Sequence, residues 1–508
     1  MNYLLGIDVG TSATKTVLFD EKGTVIASAS QEYPLYQPEN GWAEQKPEDW
    51  AAAVLKTIKE VVSKSGADKD EVKGIGISGQ MHGLVMLDEA GKVIRPSIIW
   101  CDQRTGAEVE DMLKIMPKEE WIRITANPPL TGWTAAKILW VRKNEPENYN
   151  CCRHILLPKD YIRYILTGVF ATEVSDASGM QLLDVPGRCW SDEVLEALKI
   201  DKNLLGKVYE SCEATGTLLP EVAQELGLSE SCVVAGGAGD NAAAAVGTGV
   251  VKDGTAFTTI GTSGVVFAHT SKPAIDPKGR IHTCCCAVPG AWHMMGVTQA
   301  AGLSLKWFKD QFCQDYVKEA EDKGVDVYDQ INADAASVAP GSDRLIYLPY
   351  LMGERTPHLD PDCRGVFFGL SAIHTRKHLL RAVMEGVAYS LGDCNEILKE
   401  LGIKVDCMKA CGGGGKSPVW RQMLADLYNC SVERVVQDEG PALGAAILAG
   451  VACGIYENVE KACDQLITSR DSTEPKAEEV DVYEKYHRLY QKVYTSLKNN
   501  YKELAELS

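Results

Sequence analysis

The sequence predicts an α/β protein with two domains, and three observations support this prediction. The chain has 508 residues. With a domain size of roughly 150 residues, that length suits two large domains or three ordinary ones. The N-terminal region is predicted to form three short strands in succession. Strands and helices then alternate, as in an α/β domain on a mixed sheet. A strand–turn–strand pattern in the second half repeats the opening pattern, which favours two domains of one design.

The opening elements are read from their periodicity. Three strands are predicted at Tyr3–Val9, Thr14–Phe19 and Thr24–Ser30, joined by polar turns. A helix begins at Pro47, continues with apolar residues at helical spacing, and ends before Gly66. Together these elements predict an antiparallel meander covered by one helix.

The second half repeats this opening. After a further strand at Val72–Ser78, the pattern returns at Gly254–Phe267 as strand, glycine-threonine-serine turn and strand. We place the domain boundary near Gly247–Asp253. The N-terminal domain then covers residues 1–247 and the C-terminal domain residues 248–508.

Four later segments complete the prediction. The run Gly440–Tyr456 is uncharged and rich in glycine and alanine, so it predicts a buried helix packed closely on a sheet. Asn332–Asp343 is predicted as a polar loop and Ser469–Glu479 as a linker. A last helix follows, whose tyrosine stripe from Tyr483 to Leu497 is expected to dock on the body of the protein.

Composition excludes several classes of function. The formal net charge of −18 and the absence of a basic run argue against nucleic acid and acidic membrane surfaces as partners. The sequence has no secretory pattern and no apolar stretch typical of a membrane span. Seventeen cysteines without C-x-x-C spacing indicate free thiols in a reducing compartment. We therefore expect a cytoplasmic protein, with Cys284–Cys286 in a buried strand and not in a metal site.

Two glycine-threonine-serine turns are candidate phosphate sites. The first contains Thr11 and Ser12, and the second contains Thr262. Such turns present backbone N–H groups and hydroxyls that suit phosphate oxygens, although the same residues are common in hairpin turns that bind nothing. Asp8 precedes the first turn and could hold Mg²⁺ on those phosphates, or could simply cap its own turn.

A third glycine cluster, Gly412–Gly415, comes directly after a short predicted strand. It does not complete a Walker pattern, because the required first glycine is Ala410. Its glycines would let the backbone lie against a flat ligand such as adenine, and the alternative is a flexible loop. Ser417 is expected to cap the following helix, with Pro418 at its first position.

A carboxylate stands inside a dinucleotide-like glycine pattern. Gly237–Ala242 matches G-x-G-x-x-A, but Asp240 would repel a pyrophosphate there, and no acidic residue ends a second strand about twenty residues later, as a dehydrogenase requires. An exposed Asp240 could instead serve as a general base, with Asn241 beside it, or could cap the following helix.

Two further segments lie at expected strand ends, where ligands gather in open α/β sheets. Met81 and His82 supply an apolar wall and a hydrogen-bonding imidazole, although a structural core histidine is about as common. Trp100 and Asp102 end the next hairpin, where Asp102 could bind a hydroxyl or form a surface ion pair with Arg104.

Taken together, these residues resemble the FGGY family of carbohydrate kinases. Two long family signatures are complete, at Gly132–Trp140 and Gly365–Glu385, and the resemblance runs from Tyr3 to about Tyr456. It implies the two-domain actin-like ATPase fold, which is ribonuclease H-like, with a cleft between the lobes. The N-terminal lobe would bind sugar and phosphate and the C-terminal lobe the nucleotide.

The resemblance also implies roles for residues. Met81-His82 and Asp240-Asn241 are similar to the members of the family that phosphorylate D-xylulose at its 5-hydroxyl, with Asp240 as general base and Asp8 acting through Mg²⁺. In the same comparison, Trp100 and Asp102 fall near the sugar. The positions that match family contacts to ATP are Thr11, Ser12, Lys15, Thr262, Gly302, Gly413 and Ser417.

Alternatives stay open at this point. Lys15 stands where glycerol kinases use arginine, so the resemblance does not imply a bidentate phosphate clamp. Because Met81-His82 discriminates poorly among ketoses, another ketopentose or a sugar acid is a second candidate substrate. A third hypothesis is an ATPase of the same fold that binds no sugar. The family is often dimeric, so the resemblance implies a homodimer, but the sequence pattern does not locate its interface.

Overall fold

The computed structural model describes residues 1–436 and 439–507. The first half carries fifteen strands, which are β1 (Tyr3–Val9), β2 (Ala13–Asp20), β3 (Val25–Glu32), β4 (Glu44–Gln45), β5 (Val72–Gly79), β6 (Val85–Leu87), β7 (Ser97–Ile98), β8 (His154–Leu156), β9 (Ala171–Glu173), β10 (Leu183–Asp184), β11 (Cys189–Trp190), β12 (Lys207–Tyr209), β13 (Ala214–Thr217), β14 (Val233–Ala235) and β15 (Ala238–Gly239).

The helices of this half are α1 (Pro47–Ser65), α2 (Gly106–Ile115), α3 (Lys118–Thr125), α4 (Thr134–Asn144), α5 (Pro146–Cys151), α6 (Pro158–Thr167), α7 (Val174–Ala177), α8 (Asp192–Leu198), α9 (Pro220–Leu226) and α10 (Asp240–Gly247). Two short 3-10 turns lie at Ser178–Met180 and Lys202–Leu204.

In the second half the strands are β16 (Gly254–Ile260), β17 (Gly264–Thr270), β18 (His282–Cys285), β19 (Trp292–Thr298), β20 (Ile346–Leu348), β21 (Val366–Phe368), β22 (Val405–Cys411), β23 (Ser431–Val435) and β24 (Ser469–Thr473). The helices are α11 (Gly302–Phe312), α12 (Gln314–Lys323), α13 (Val327–Ala336), α14 (Arg376–Glu400), α15 (Gly412–Gly415), α16 (Pro418–Tyr428), α17 (Gly440–Ala452), α18 (Val459–Leu466) and α19 (Ala477–Glu506).

Two seven-stranded mixed sheets organise the chain, and they share one topology. In the first sheet β3, β2 and β1 are antiparallel neighbours, followed by β5 and β14 in parallel. In the second sheet β19, β17 and β16 are antiparallel neighbours, followed by β22 and β23 in parallel. The repeated hairpin in the sequence therefore belongs to a repeated sheet, as predicted. Each hairpin turn lies at the same place in its sheet.

The first helix shows how local sequence sets these elements. Helix α1 begins at Pro47, whose missing N–H is not needed in the first turn, and Glu48 and Asp49 favour the positive end of the helix dipole. It ends at Gly66, which has a left-handed φ of 63°. Its apolar side, including the fully buried Trp50, packs on the first sheet.

Helix α17 connects the two halves. It was predicted as a buried helix on a sheet, and the sheet it covers is the first one. A Cβ on Gly6 of β1 would lie 1.9 Å from the carbonyl oxygen of Ala442, and one on Gly76 of β5 would lie 1.8 Å from that of Ala445. The second half of the chain therefore supplies part of the packing of the first.

Helices α10 and α17 cross at equally close range. A Cβ on Gly247 would lie 1.9 Å from the carbonyl oxygen of Gly440, and one on Gly444 would lie 1.9 Å from that of Ala243. Residue Ala245 of α10 belongs to an apolar cluster with Phe257 and Phe267 of the second sheet. Helix α10 thus packs at the junction of the two lobes.

Two predicted loops are wrong in part. The polar segment Asn332–Asp343 begins inside α13, which continues to Ala336. The linker Ser469–Glu479 contains β24, which pairs with β23 at the sheet edge. Because β24 is largely exposed and polar, it carries no apolar alternation from which a strand could be predicted.

Two further predictions about the body of the protein are confirmed, the docking of the last helix and the burial of Cys284–Cys286. Helix α19 docks through buried tyrosines, Tyr483, Tyr490 and Tyr494 among them. Cys284 and Cys285 lie in β18, Cys286 follows it, and all three are buried. The residues that the structure describes form no disulfide. Within the parts of the chain described, no helix has the length and apolar character to cross a membrane.

Candidate active site

Three neighbouring strands of the first sheet end at one edge and bring two aspartates together. Strands β1 and β15 both run parallel to β5, so their carboxyl ends meet. Asp8 of β1 and Ala238 of β15 flank Ser78 of β5 in the register. Asp240 follows β15 directly as the first residue of α10. This edge is where ligands bind in open α/β sheets.

The environment of these carboxylates favours their neutral forms. Burial raises the pKa of Asp8, although Ser78 Oγ donates a 3.0 Å hydrogen bond to Oδ1 and Lys15 opposes the shift. Burial, followed by the charge of Asp8, raises the pKa of Asp240 to about 6. The N–H and the Nδ2 group of Asn241 donate to Asp240 Oδ1 at 2.7 and 2.9 Å and limit this shift. A carboxyl with a pKa near 6 is suited to accept a proton at neutral pH.

Met81 lies against the peptide that precedes Asp240. A Cβ on Gly239 would be 2.9 Å from Cγ and Sδ of Met81, which is itself buried. The N–H of Gly239 donates to Ser175 Oγ at 3.1 Å. Met81 therefore places an apolar side chain beside the candidate base.

His82 is held as a neutral imidazole. Its Nδ1 lies 2.8 Å from the carbonyl oxygen of Gly179, and since a carbonyl only accepts, Nδ1 carries the proton. Burial lowers the pKa of His82 to about 3. The ring stacks on Trp133 with centroids 4.7 Å apart. Its Nε2 is then left as a hydrogen-bond acceptor.

The first hairpin turn lies close to Trp100. The indole Nε1 of Trp100 donates to Thr11 Oγ1 at 2.9 Å, and Ser12 in the same turn is exposed. Lys15 of β2 pairs in register with Asp8, and its Nζ lies 2.5 Å from Glu439 Oε2. The structure thus gathers Thr11, Ser12 and Lys15 next to Asp8.

Asp102 differs from its expected setting. It is completely buried, so its ion pair with Arg104 is not on the surface. Arg104 Nη2 and the N–H of Ala43 donate to Oδ2 at 2.7 and 2.6 Å, and the Arg104 N–H donates to Oδ1 at 2.9 Å. These bonds, with further ones from Arg104 Nε, engage both carboxylate oxygens. The contacts indicate a structural role for Asp102 and do not support a contact with sugar.

The second hairpin turn is the meeting point of the predicted nucleotide residues. The N–H of Gly302, at the start of α11, donates to the carbonyl oxygen of Gly261 at 2.7 Å, and Thr262 is exposed in the same turn. A Cβ on Gly412 would lie 2.9 Å from the carbonyl oxygen of Ile260. The turn, the start of α11 and the glycine helix α15 therefore adjoin one another.

Within the glycine cluster, Gly413 and Ser417 have different surroundings. A Cβ on Gly413 would meet no atom within 4 Å, so its face is open. Ser417 caps α16 by accepting the N–H of Trp420 at 3.2 Å, as predicted, and donates to Asn332 Oδ1 at 2.7 Å. Gly413 is therefore the more accessible of the two to a ligand.

Residues missed by sequence reasoning lie in the first signature stretch. Lys137 and Thr134 both donate to the carbonyl oxygen of His82, at 2.7 and 3.1 Å. The stretch Gly132–Trp140 was itself a signal, but it assigned no role to either residue. Arg355 was also missed, and its charge contributes with burial to the lowered pKa values of His82 and His282.

One cluster away from this edge has the residue types of a metal site. Asp393 and Glu396 of α14 and His487 of α19 could bring one ligand atom each within 4.8 Å of one another. His487 Nε2 lies 2.9 Å from Asp393 Oδ1, and Nδ1 lies 3.4 Å from Glu396 Oε1. Both ring nitrogens are engaged, so this cluster docks the last helix.

Comparisons with known proteins identify the relatives of the chain. The model of the FGGY family of carbohydrate kinases, N-terminal domain, matches residues 3–247, and that of the C-terminal domain matches residues 256–453. The chain is 39% identical to a xylulose kinase of Bacillus subtilis (strain 168), covering 98% of each chain. It is 32% identical to a gluconokinase of the same strain, covering 99% of this chain and 98% of the relative.

A solved structure is similar over the whole length. The crystal structure of a ligand-bound xylulose kinase from Lactobacillus acidophilus matches with a TM-score of 0.92 and 28% identity. The match covers 99% of this chain and all of that one. The two lobes described above therefore have the architecture of solved sugar kinases.

Proposed function

Because this chain belongs to the FGGY family of carbohydrate kinases, we propose that it transfers the γ-phosphoryl group of ATP to the 5-hydroxyl of D-xylulose. The observation that carries the proposal is the meeting of Asp8, Met81, His82 and Asp240 at one sheet edge. This edge combines Asp240 as a candidate base with Met81 and His82 as candidate sugar contacts. The first hairpin turn, a candidate phosphate site, lies beside Asp8. The full-length likeness to a xylulose kinase supports the choice of sugar.

In the proposed reaction Asp240 is the general base. Its carboxylate accepts the proton of the sugar hydroxyl while that oxygen forms a bond to the γ-phosphorus, and the bond from the γ-phosphorus to the β-phosphate oxygen breaks to release ADP. The transition state of phosphoryl transfer is loose, so placement and charge neutralisation carry most of the catalysis. A positioned base contributes about 10²–10⁴-fold.

The sugar is proposed to lie between Met81 and His82. Met81 covers its carbon skeleton, and Nε2 of His82 accepts a hydrogen bond from one of its hydroxyls. Asn241 and Trp100 complete the pocket in this proposal, whereas Asp102 holds the surrounding loop. Apolar walls with a few fixed polar groups are typical of small-molecule sites.

ATP is proposed to bind between the two hairpin turns. Thr11, Ser12 and Lys15 of the first turn and Thr262 of the second would contact phosphates, and Gly302 and Gly413 would lie along the nucleoside. Lys15 would exchange Glu439 for a phosphate oxygen. Ser417 would act through the fold of α16, because its hydroxyl is already bonded on both sides.

The residues at the sheet edge fit a magnesium ion. Oxygen ligands suit Mg²⁺, which usually takes one or two protein carboxylates together with phosphates. Asp8 has one oxygen bonded to Ser78, and none of the hydrogen bonds found in the described chain engages the other. Asp8 would hold Mg²⁺, and the bound ion would neutralise charge on the phosphate oxygens.

A sugar acid is the second candidate substrate, because a gluconokinase is also similar over the full length. The test is ADP release with ATP and Mg²⁺ against D-xylulose, D- and L-ribulose, gluconate, glycerol and no sugar. We expect D-xylulose to give the largest stimulation and a 5-phosphate product. Stimulation by gluconate or ribulose alone would replace the proposed sugar and keep the chemistry.

A further inference from the structure

His82 has a backbone conformation that needs support. Its φ is 67°, in the left-handed region, which few residues other than glycine adopt, asparagine, aspartate and histidine being the most frequent among them. Such residues persist where the surrounding structure determines them, and they are frequent at ligand sites. Groups on helix α4 and at Gly179 surround His82 and hold it in this conformation.

Helix α4 holds the main chain of His82. Lys137 Nζ donates to the carbonyl oxygen of His82 at 2.7 Å, and Thr134 Oγ1 donates to the same oxygen at 3.1 Å. Both donors lie at the start of α4, and both are completely buried. Two donors on one carbonyl fix the direction of that peptide, and with it the direction of the side chain.

The ring of His82 is fixed from two other sides. Trp133, which immediately precedes α4, stacks on one face with 19° between the planes. Gly179 accepts the Nδ1 proton, and a Cβ on Gly179 would lie only 2.5 Å from Nδ1. The ring is thus clamped, and Nε2 is the only ring nitrogen left for a ligand.

Lys137 is unusual because it has no ion-pair partner among the described residues. A buried ammonium without a carboxylate is costly, so its retention calls for an explanation. Asp102 and Cys101 favour its charged form, and Arg104 disfavours it. Burial is the larger effect and lowers its pKa to about 7. Within the described part of the chain, its Nζ donates a single hydrogen bond, to the carbonyl oxygen of His82.

We propose that Lys137 and Thr134 are positioning residues that hold His82 in its left-handed conformation, so that its Nε2 meets a sugar hydroxyl. This inference rests on the proposed function, because it assigns a substrate contact to His82. It gives a physical reason for a lysine and a hydroxyl residue three positions apart in the stretch Gly132–Trp140. Neither residue touches the substrate.

A double-mutant cycle tests the proposal. Glycine adopts the left-handed region freely, so His82→Gly needs no clamp. Coupling between two sites appears as non-additive effects on one measured quantity. The variants are Lys137→Met and Thr134→Val, each made in the His82 and the His82→Gly backgrounds. Lys143→Met, on the exposed side of the same helix, is the matched control.

With His82 present, we expect Lys137→Met to lower kcat/KM for the sugar by about tenfold, as for a buried carbonyl that loses a hydrogen-bond donor. The change should fall on the sugar KM and leave the KM for ATP unchanged. With His82→Gly, the same substitution should change kcat/KM by less than about twofold. Thr134→Val should follow the same pattern with a smaller effect, and Thr134→Ser, which keeps the hydroxyl, should retain the wild-type sugar KM.

Equal effects in both backgrounds, or equal changes in the two KM values, would overturn the proposal. If Lys137→Met does not fold, the Thr134→Val cycle decides the question. The cycle is run with whichever sugar gives the highest kcat/KM, so failure of D-xylulose alone would refute the proposed substrate and leave this inference standing. Absence of turnover with every sugar would refute both.

Discussion

Asp8 and Asp240 lie on either side of strand β5, and the charge of Asp8 helps to raise the pKa of Asp240 to about 6. A base with this pKa is deprotonated at neutral pH and protonated below pH 6. We therefore expect kcat/KM to fall about tenfold for each pH unit below about 6, as for a single essential base. The pH–rate profile of the wild-type protein measures this fall, which is the acidic limb of the profile.

Asp8→Asn tests the coupling between the two aspartates. Removing a negative charge favours ionisation of its neighbour, so the pKa of Asp240 should fall and the acidic limb should move to lower pH. The position of the limb is the readout, because Asp8→Asn also lowers the rate if Asp8 holds Mg²⁺. A limb that stays near pH 6 would mean that another group controls it.

Asp240→Asn should separate catalysis from binding. The amide keeps the shape of the side chain but accepts no proton, so we expect kcat to fall by about 10²–10⁴-fold. Sugar affinity, followed by tryptophan fluorescence, should change little. Asp192→Asn, at an exposed position of α8, is the control and should retain full activity. Near-normal kcat in Asp240→Asn would exclude Asp240 as the base.

Gly413 and Gly414 form a matched pair for the nucleotide site. A Cβ on Gly413 meets open space, whereas one on Gly414 lies 2.5 Å from the side chain of Ile260. Gly413→Ala should keep the unfolding temperature and raise the KM for ATP several-fold, because its methyl group occupies the proposed nucleoside face. Gly414→Ala should be destabilised by about 1–3 kcal/mol through overpacking.

These two glycine variants are compared by thermal unfolding and by ATP titration at saturating sugar. The prediction requires that only Gly413→Ala separates affinity from stability. An unchanged KM for ATP in Gly413→Ala would place the nucleoside elsewhere.

The His487 cluster should make stability depend on pH. Burial alone would lower the pKa of His487, but hydrogen bonds to Asp393 and Glu396 outweigh burial and raise it to about 9. Because the folded pKa exceeds the unfolded value, this stabilisation is complete below about pH 6.5. The stabilisation is lost as the pH rises through about 9. Its size is about 1.4 kcal/mol for each unit by which the pKa in the folded protein exceeds the pKa in the unfolded chain.

Thermal unfolding between pH 6 and 9.5 measures this effect. His487→Gln cannot titrate, so its unfolding temperature should start lower and fall less across this range. Gln491, which also donates to Asp393 and Glu396, remains in the variant and keeps the contact polar. If the unfolding temperatures of the wild-type protein and His487→Gln fall equally across this pH range, His487 is not the group responsible.

Local sequence predicted the elements whose signals are local. Strand β1 and the start of α1 at Pro47 are confirmed, because alternation and a helix-starting proline act within a few residues. The run at Gly440 was recognised as a buried helix, but its partner is the first sheet, hundreds of residues earlier. Small residues indicate close packing without identifying the surface that they contact.

The same limit applies to the site. Asp8, Met81, His82 and Asp240 could be proposed because each follows or ends a recognisable strand. The bond from Lys137 to His82 spans 55 positions and joins a helix to a main-chain carbonyl, which no spacing rule encodes. Asp102 was read as a site residue because burial and five hydrogen bonds are invisible in a linear pattern.

The crossing of α10 and α17 bears on which sequences the fold can tolerate. At Gly247 and Gly444 the facing carbonyl oxygens occupy the space of any side chain, so only hydrogen can stand there. Asp240 begins the helix that ends at Gly247, so a substitution seven residues from the base would tilt the base itself. In a saturation library scored for turnover, both positions should tolerate almost no replacement, although neither residue takes part in the chemistry.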